Sequence, residues 1–92
     1  MKISVRYLAQ LRVAAGAFTE DWELDSPCSV QDLLCRLADS HGDALKKFLL
    51  DVAGNIQPAV LVFVGEQQVG LLDTKPLRDG DVVTLLSPIA GG

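Results

Sequence analysis

The chain alternates before it does anything else. In "KISVRYLA" (Lys2 to Ala9), Ile3, Val5 and Tyr7 fall on one side, and Lys2, Ser4 and Arg6 on the other. That two-residue period predicts a strand with one buried face. After a turn at Gly16, "FTEDWELD" (Phe18 to Asp25) alternates again, with Phe18, Trp22 and Leu24 in one phase. Glu20 breaks the phase. Two such segments joined by a short loop predict an antiparallel hairpin.

The period then changes. Val30, Leu33, Leu34, Leu37 and Ala38 recur at i, i+3, i+4, i+7 and i+8, which is a helical stripe. Ser29 is suited to cap that helix, with Asp32 three residues later and Gly42 as its stop. A second short helix, about Ala44 to Leu50, groups Leu45, Phe48 and Leu49, and "DVAGNIQP" reads as a loop. "AVLVFV" (Ala59 to Val64) is apolar throughout, as a strand is when both faces are covered or one awaits a partner. "GEQQVG" leads into a short strand, and Asp79-Gly80-Asp81 makes a turn. "VVTLLS" is the last strand, and Pro88 ends it.

The order strand, strand, helix, strand, short strand, strand gives an α+β class. Its compact solution is a mixed four- to five-stranded sheet with one main helix packed on one face. With the long first and last strands central and parallel, this is the ubiquitin-like β-grasp roll. The 92 residues make a single domain, 1–92, with a Gly-Gly tail from about residue 87.

Packing the inward phase against one helix leaves a surplus. Leu8, Val82 and Leu86, with alternate positions of Ala59–Val64, point away from the helix. The far face of the sheet therefore carries an apolar patch, the mark of a partner surface, unless Leu50–Ile56 folds over it.

Composition removes several function classes. Net charge is −4, the sequence pI is about 4.6, and the eight basic residues are scattered, which argues against nucleic-acid binding. No segment has the apolar length to span a bilayer and no secretory signal opens the chain, so a cytoplasmic protein without membrane contact is expected. Cys28 and Cys35 are spaced for neither a disulfide nor a metal set and are expected to be reduced and structural. His41, the one histidine, stands before the helix stop, where it can interact with the last carbonyls. There is no phosphate-cradling loop, histidine–carboxylate set or metal-ligand spacing. The chain is not expected to be catalytic alone.

The chain ends "SPIAGG". Two glycines without side chains can thread a narrow tunnel, and the terminal carboxylate beyond them is unhindered. Such a carboxylate is suited to activation as an acyl adenylate in a partner's active site.

"LRDGDVVTLLSPIAGG" (Leu77 to Gly92) resembles the C-terminal signature of the MoaD/ThiS group of ubiquitin-like sulfur carriers, and "VRYLAQLRVAAG" (Val5 to Gly16) resembles the opening of molybdopterin synthase small subunits. The resemblance implies that a ubiquitin-activating-type enzyme, using ATP and Mg, adenylates Gly92. A sulfur donor then converts it to a thiocarboxylate. It further implies that Gly91 permits threading, that Ser87, Pro88, Ile89 and Ala90 form a spacer, and that Leu8, Arg12 and Leu86 lie on the docking face. The destination it implies is molybdenum cofactor biosynthesis, with this chain as sulfur-donating subunit beside a molybdopterin synthase large subunit. Related carriers serve thiamine, cysteine or other sulfur metabolites, and some modify proteins. Where many small subunits have two aromatics and two prolines, this chain has Leu85, Leu86, Ser87 and Pro88.

Overall fold

The computed structural model describes residues 1–70 and 75–87. Five strands form one sheet, β1 (Lys2–Ala9), β2 (Thr19–Glu23), β3 (Leu61–Val64), β4 (Gln67–Val69) and β5 (Val82–Ser87). Their order across the sheet is β2-β1-β5-β3-β4. β1 and β5 run parallel at the centre, and the other pairs are antiparallel. This is the β-grasp roll expected from the pattern.

The inward phase is buried as the alternation requires. Ile3, Val5 and Tyr7 from β1, Val62 from β3, and Val83 and Leu85 from β5 are fully buried. Against them lies α2 (Val30–His41), which buries Val30, Leu33, Leu34, Leu37 and Ala38. Each fully buried leucine contributes about 1.5–3 kcal/mol relative to an exposed one, so this single stripe supplies a large share of the core.

α2 begins where its cap dictates. The Asp32 amide donates to Ser29 Oγ at 3.2 Å, and the Ser29 amide donates to Asp32 Oδ2 at 3.5 Å, a reciprocal capping box. It stops at Gly42, where φ is 78°. α3 (Asp43–Leu49) follows at once and adds Leu45 and Leu49 to the core.

Three elements differ from the sequence reading. A six-residue helix, α1 (Gln10–Ala15), occupies the first connection, ending at Gly16 with φ 73°. It buries only Leu11, so it has no stripe that periodicity could reveal. β2 spans five residues rather than eight, and β3 begins at Leu61 rather than Ala59. The Val60 amide donates to the Gln57 carbonyl at 3.1 Å, so a turn occupies the start of that apolar run. The Leu50–Ile56 segment closes on itself through a Leu50–Ile56 bridge and puts both apolar ends into the core. Its apolar ends are thus spent on the core rather than on the far face of the sheet.

Candidate functional site: the outer sheet face and the end of β5

The parallel pairing of β1 and β5 decides at which end of the sheet β5 finishes. Ala9 pairs with Ser87, so β5 finishes at the same end of the sheet at which β1 turns into α1. Ala9 takes φ 54°, in the left-handed region, and is the one non-glycine residue with positive φ among the described residues. A side chain there costs on the order of 1–3 kcal/mol, and this bend carries the chain from the strand directly into α1.

Leu8 and Leu86 are in register across β1 and β5, and Leu61 of β3 is in register with Leu86. All three lie in the outward phase and are partly exposed. One step down the strands, Arg6, Thr84 and Phe63 form the next row. With strands about 4.8 Å apart, the two rows make a compact field, largely apolar, on the face opposite the helices. Val82 extends it along β5. Leu8 and Leu86 were legible as outward residues. Leu61 and Phe63 were not singled out, because an all-apolar strand does not reveal its phase until its register with β5 is known.

The remaining predicted site residues are distributed differently. Arg12 is exposed on α1, not on the sheet face, with its guanidinium 5.2 Å from the centroid of the Phe18 ring, a cation–π contact. Ser87 is the last residue of β5 and is buried, in phase with Val83 and Leu85 on the core side. It is therefore part of the strand rather than of a spacer. Pro88, Ile89, Ala90, Gly91 and Gly92 lie outside the described residues.

A second polar assembly was missed in the sequence. Glu20, the residue that broke the β2 phase, receives Tyr7 Oη at 2.8 Å and Trp22 Nε1 at 2.7 Å on Oε1. His41 Nε2 lies 3.0 Å from Oε2 and 3.1 Å from Oε1 of the same carboxylate, and its ring meets Tyr7 edge-on at 5.8 Å. His41 therefore has a specific partner, which corrects its expected role against the helix-end carbonyls. Burial alone would raise the Glu20 carboxyl, but the donors from Trp22, His41 and Tyr7 outweigh it and hold it below the usual carboxylate value. Burial and the Glu20 bond push the Tyr7 phenol well above its ordinary range. The cluster clasps β1, the edge strand β2 and the end of α2 together. Its signal in the sequence was the break itself, a carboxylate at an inward position.

Cys28 is buried and Cys35 partly exposed, both as free thiols, and burial raises the Cys28 thiol. Among the described residues no group of three or more His, Cys, Asp or Glu could hold a metal, and no helix is long and apolar enough to cross a membrane.

Residues 5–92 match the ThiS family. The chain belongs to that family. The match takes in both motif-bearing ends of the sequence and the whole of the sheet from Val5 onward. Among curated relatives, this ThiS-family chain is 32% identical over 94 residues to small archaeal modifier protein 3 of Haloferax volcanii, covering all of both chains. It is 26% identical over 92 residues to the molybdopterin synthase sulfur carrier subunit of Chlamydomonas reinhardtii, again covering all of both. Its fold superposes on the crystal structure of small archaeal modifier protein 1 of Haloferax volcanii with a TM-score of 0.86, at 24% identity and with both chains fully covered. It is thus a ubiquitin-like protein of the sulfur-carrier and modifier family.

Proposed function

We propose that the protein is an activated carrier whose working group is the carboxylate of Gly92. The family membership of residues 5–92 carries this reading. In the proposed cycle the carboxylate attacks the α-phosphorus of ATP, with Mg held by the activating enzyme, and pyrophosphate leaves. Hydrosulfide released by the donor then attacks the acyl carbon, AMP leaves with the bonding pair, and a thiocarboxylate remains on Gly92. The chain itself supplies the grip and the reach. A central strand pinned on both sides by parallel and antiparallel partners hands the chain off at one end of the sheet, beside an apolar field suited to a protein partner. Gly91 and Gly92 supply the narrow, side-chain-free segment that enters the partner's active site.

The destination we propose is molybdopterin synthase, with this chain as the small, sulfur-donating subunit beside a large one. Resemblance over the full length to the Chlamydomonas reinhardtii carrier subunit supports it. A second reading has its own support. The higher identity to small archaeal modifier protein 3 favours a protein modifier, in which a target lysine rather than a sulfur nucleophile takes the acyl group from the same adenylate.

Incubation with ATP, Mg, a sulfur source and extract of the native host, followed by mass analysis of the C-terminal peptide, separates these. Sulfur in place of one oxygen on Gly92 supports the carrier, a lysine-linked Gly92 supports the modifier, and an unchanged carboxylate overturns both. Residues appended after Gly92 are expected to abolish either product.

A further inference from the structure

The outer face of the sheet is not uniform along the strands. At the end where β5 finishes, the row Leu8, Leu86, Leu61 is wholly apolar. The next row is Thr19, Arg6, Thr84, Phe63, and the one beyond it begins with Asp21, Ser4 and Val82. Last comes Glu23 opposite Lys2. The order from that end is therefore apolar, cationic at Arg6, anionic at Asp21, and then a row with one charge of each sign.

Arg6 is the charge that borders the apolar field. It is exposed, and its in-register neighbours, Thr19 and Thr84, are uncharged. Among the described residues it has neither an ion pair nor a hydrogen-bonded side-chain partner. Lys2, by contrast, stands opposite Glu23. An unmatched guanidinium at the rim of an apolar patch, in a chain of net charge −4, is a recognition feature for an anionic group on whatever covers the patch.

We infer that Arg6 is a specificity residue of the outer face, and that the activating enzyme which docks there presents an apolar surface with a carboxylate placed opposite Arg6. This rests on the carrier reading above. The activating enzyme is the occupant because both carrier and modifier chemistry pass through the same adenylate. The carboxylate fixes the register of docking, since sliding the sheet by one row along the strands would bring it toward Asp21.

The test uses the full chain with the activating enzyme that adenylates the wild type in the experiment above, so failure of the carrier reading is seen before Arg6 is varied. ATP–pyrophosphate exchange is measured against carrier concentration for wild type, Arg6→Lys, Arg6→Gln and Arg6→Glu. The expected result is a KM raised about tenfold or more by Arg6→Glu through like-charge juxtaposition, less by Arg6→Gln, and near wild type for Arg6→Lys, with kcat little changed. The wild-type KM should rise between about 0.05 and 0.3 M salt as the Debye length shortens, and that slope should flatten in Arg6→Gln. Melting temperatures should not move, because Arg6 holds nothing in the fold. An unchanged KM for Arg6→Glu, or a salt slope undiminished in Arg6→Gln, overturns the assignment.

Discussion

Glu20 is the residue at which local pattern and tertiary demand part company. A carboxylate in the inward phase of β2 weakens the strand pattern, yet it satisfies the Tyr7 hydroxyl and the Trp22 indole and pairs with His41. Glu20→Ala removes the acceptor common to these groups and should cost about 1–3 kcal/mol, measured by urea unfolding. The pH dependence has two sides. The folded-state pKa of Glu20 is lowered, so its contribution is complete above 4.5 and is lost as pH falls below that toward the folded value. The folded-state pKa of Tyr7 is raised, so its contribution is complete below 10.0 and declines as pH rises from there. Tyr7→Phe should flatten the alkaline limb, and Glu20→Gln the acidic one. The clasp was illegible in the sequence because its members are far apart in the chain, joining positions 7, 20, 22 and 41. The capping box at Ser29 was legible because its two members, Ser29 and Asp32, stand three residues apart in the chain. Ser29→Ala should cost about 1 kcal/mol.

At the scale of elements, what was legible followed burial. The stripe of α2 and the alternation of β1 are written in side chains that must face one core, and both elements lie where the pattern puts them. α1 was not legible, since a helix that buries one leucine leaves no period to detect. The outer face was half legible. β1 and β5 revealed Leu8 and Leu86 by phase, whereas Leu61 and Phe63 needed the register of β3 against β5. The two faces of β5 also give the sharpest contrast in this fold. Leu85→Ala should cost about 2–5 kcal/mol by opening the core. Leu86→Asp, on the partly exposed side, should cost about 1 kcal/mol or less while suppressing adenylation. Paired denaturant melts and exchange assays would separate the two effects, and a Leu86→Asp chain with full activity would remove the outer face from partner docking.

For the whole molecule, β5 lies between β1 and β3 at the centre of the sheet, α2 packs on one face, and the other face carries the Leu8, Leu86 and Leu61 row. The central parallel pair was readable because the first and last strands are long and apolar and belong in the centre. Where Arg12 and Ser87 lie was not, because the end of β5 and the helix after β1 are set by pairing rather than by period. The central claim is that Gly92 is chemically loaded. Its most direct test is an intact mass of the protein purified from its native host, with fragmentation of the C-terminal peptide. A population in which sulfur replaces one oxygen on Gly92 is the predicted result. A carboxylate that stays unmodified in the host, and after incubation with ATP, Mg, a sulfur source and host extract, would contradict it.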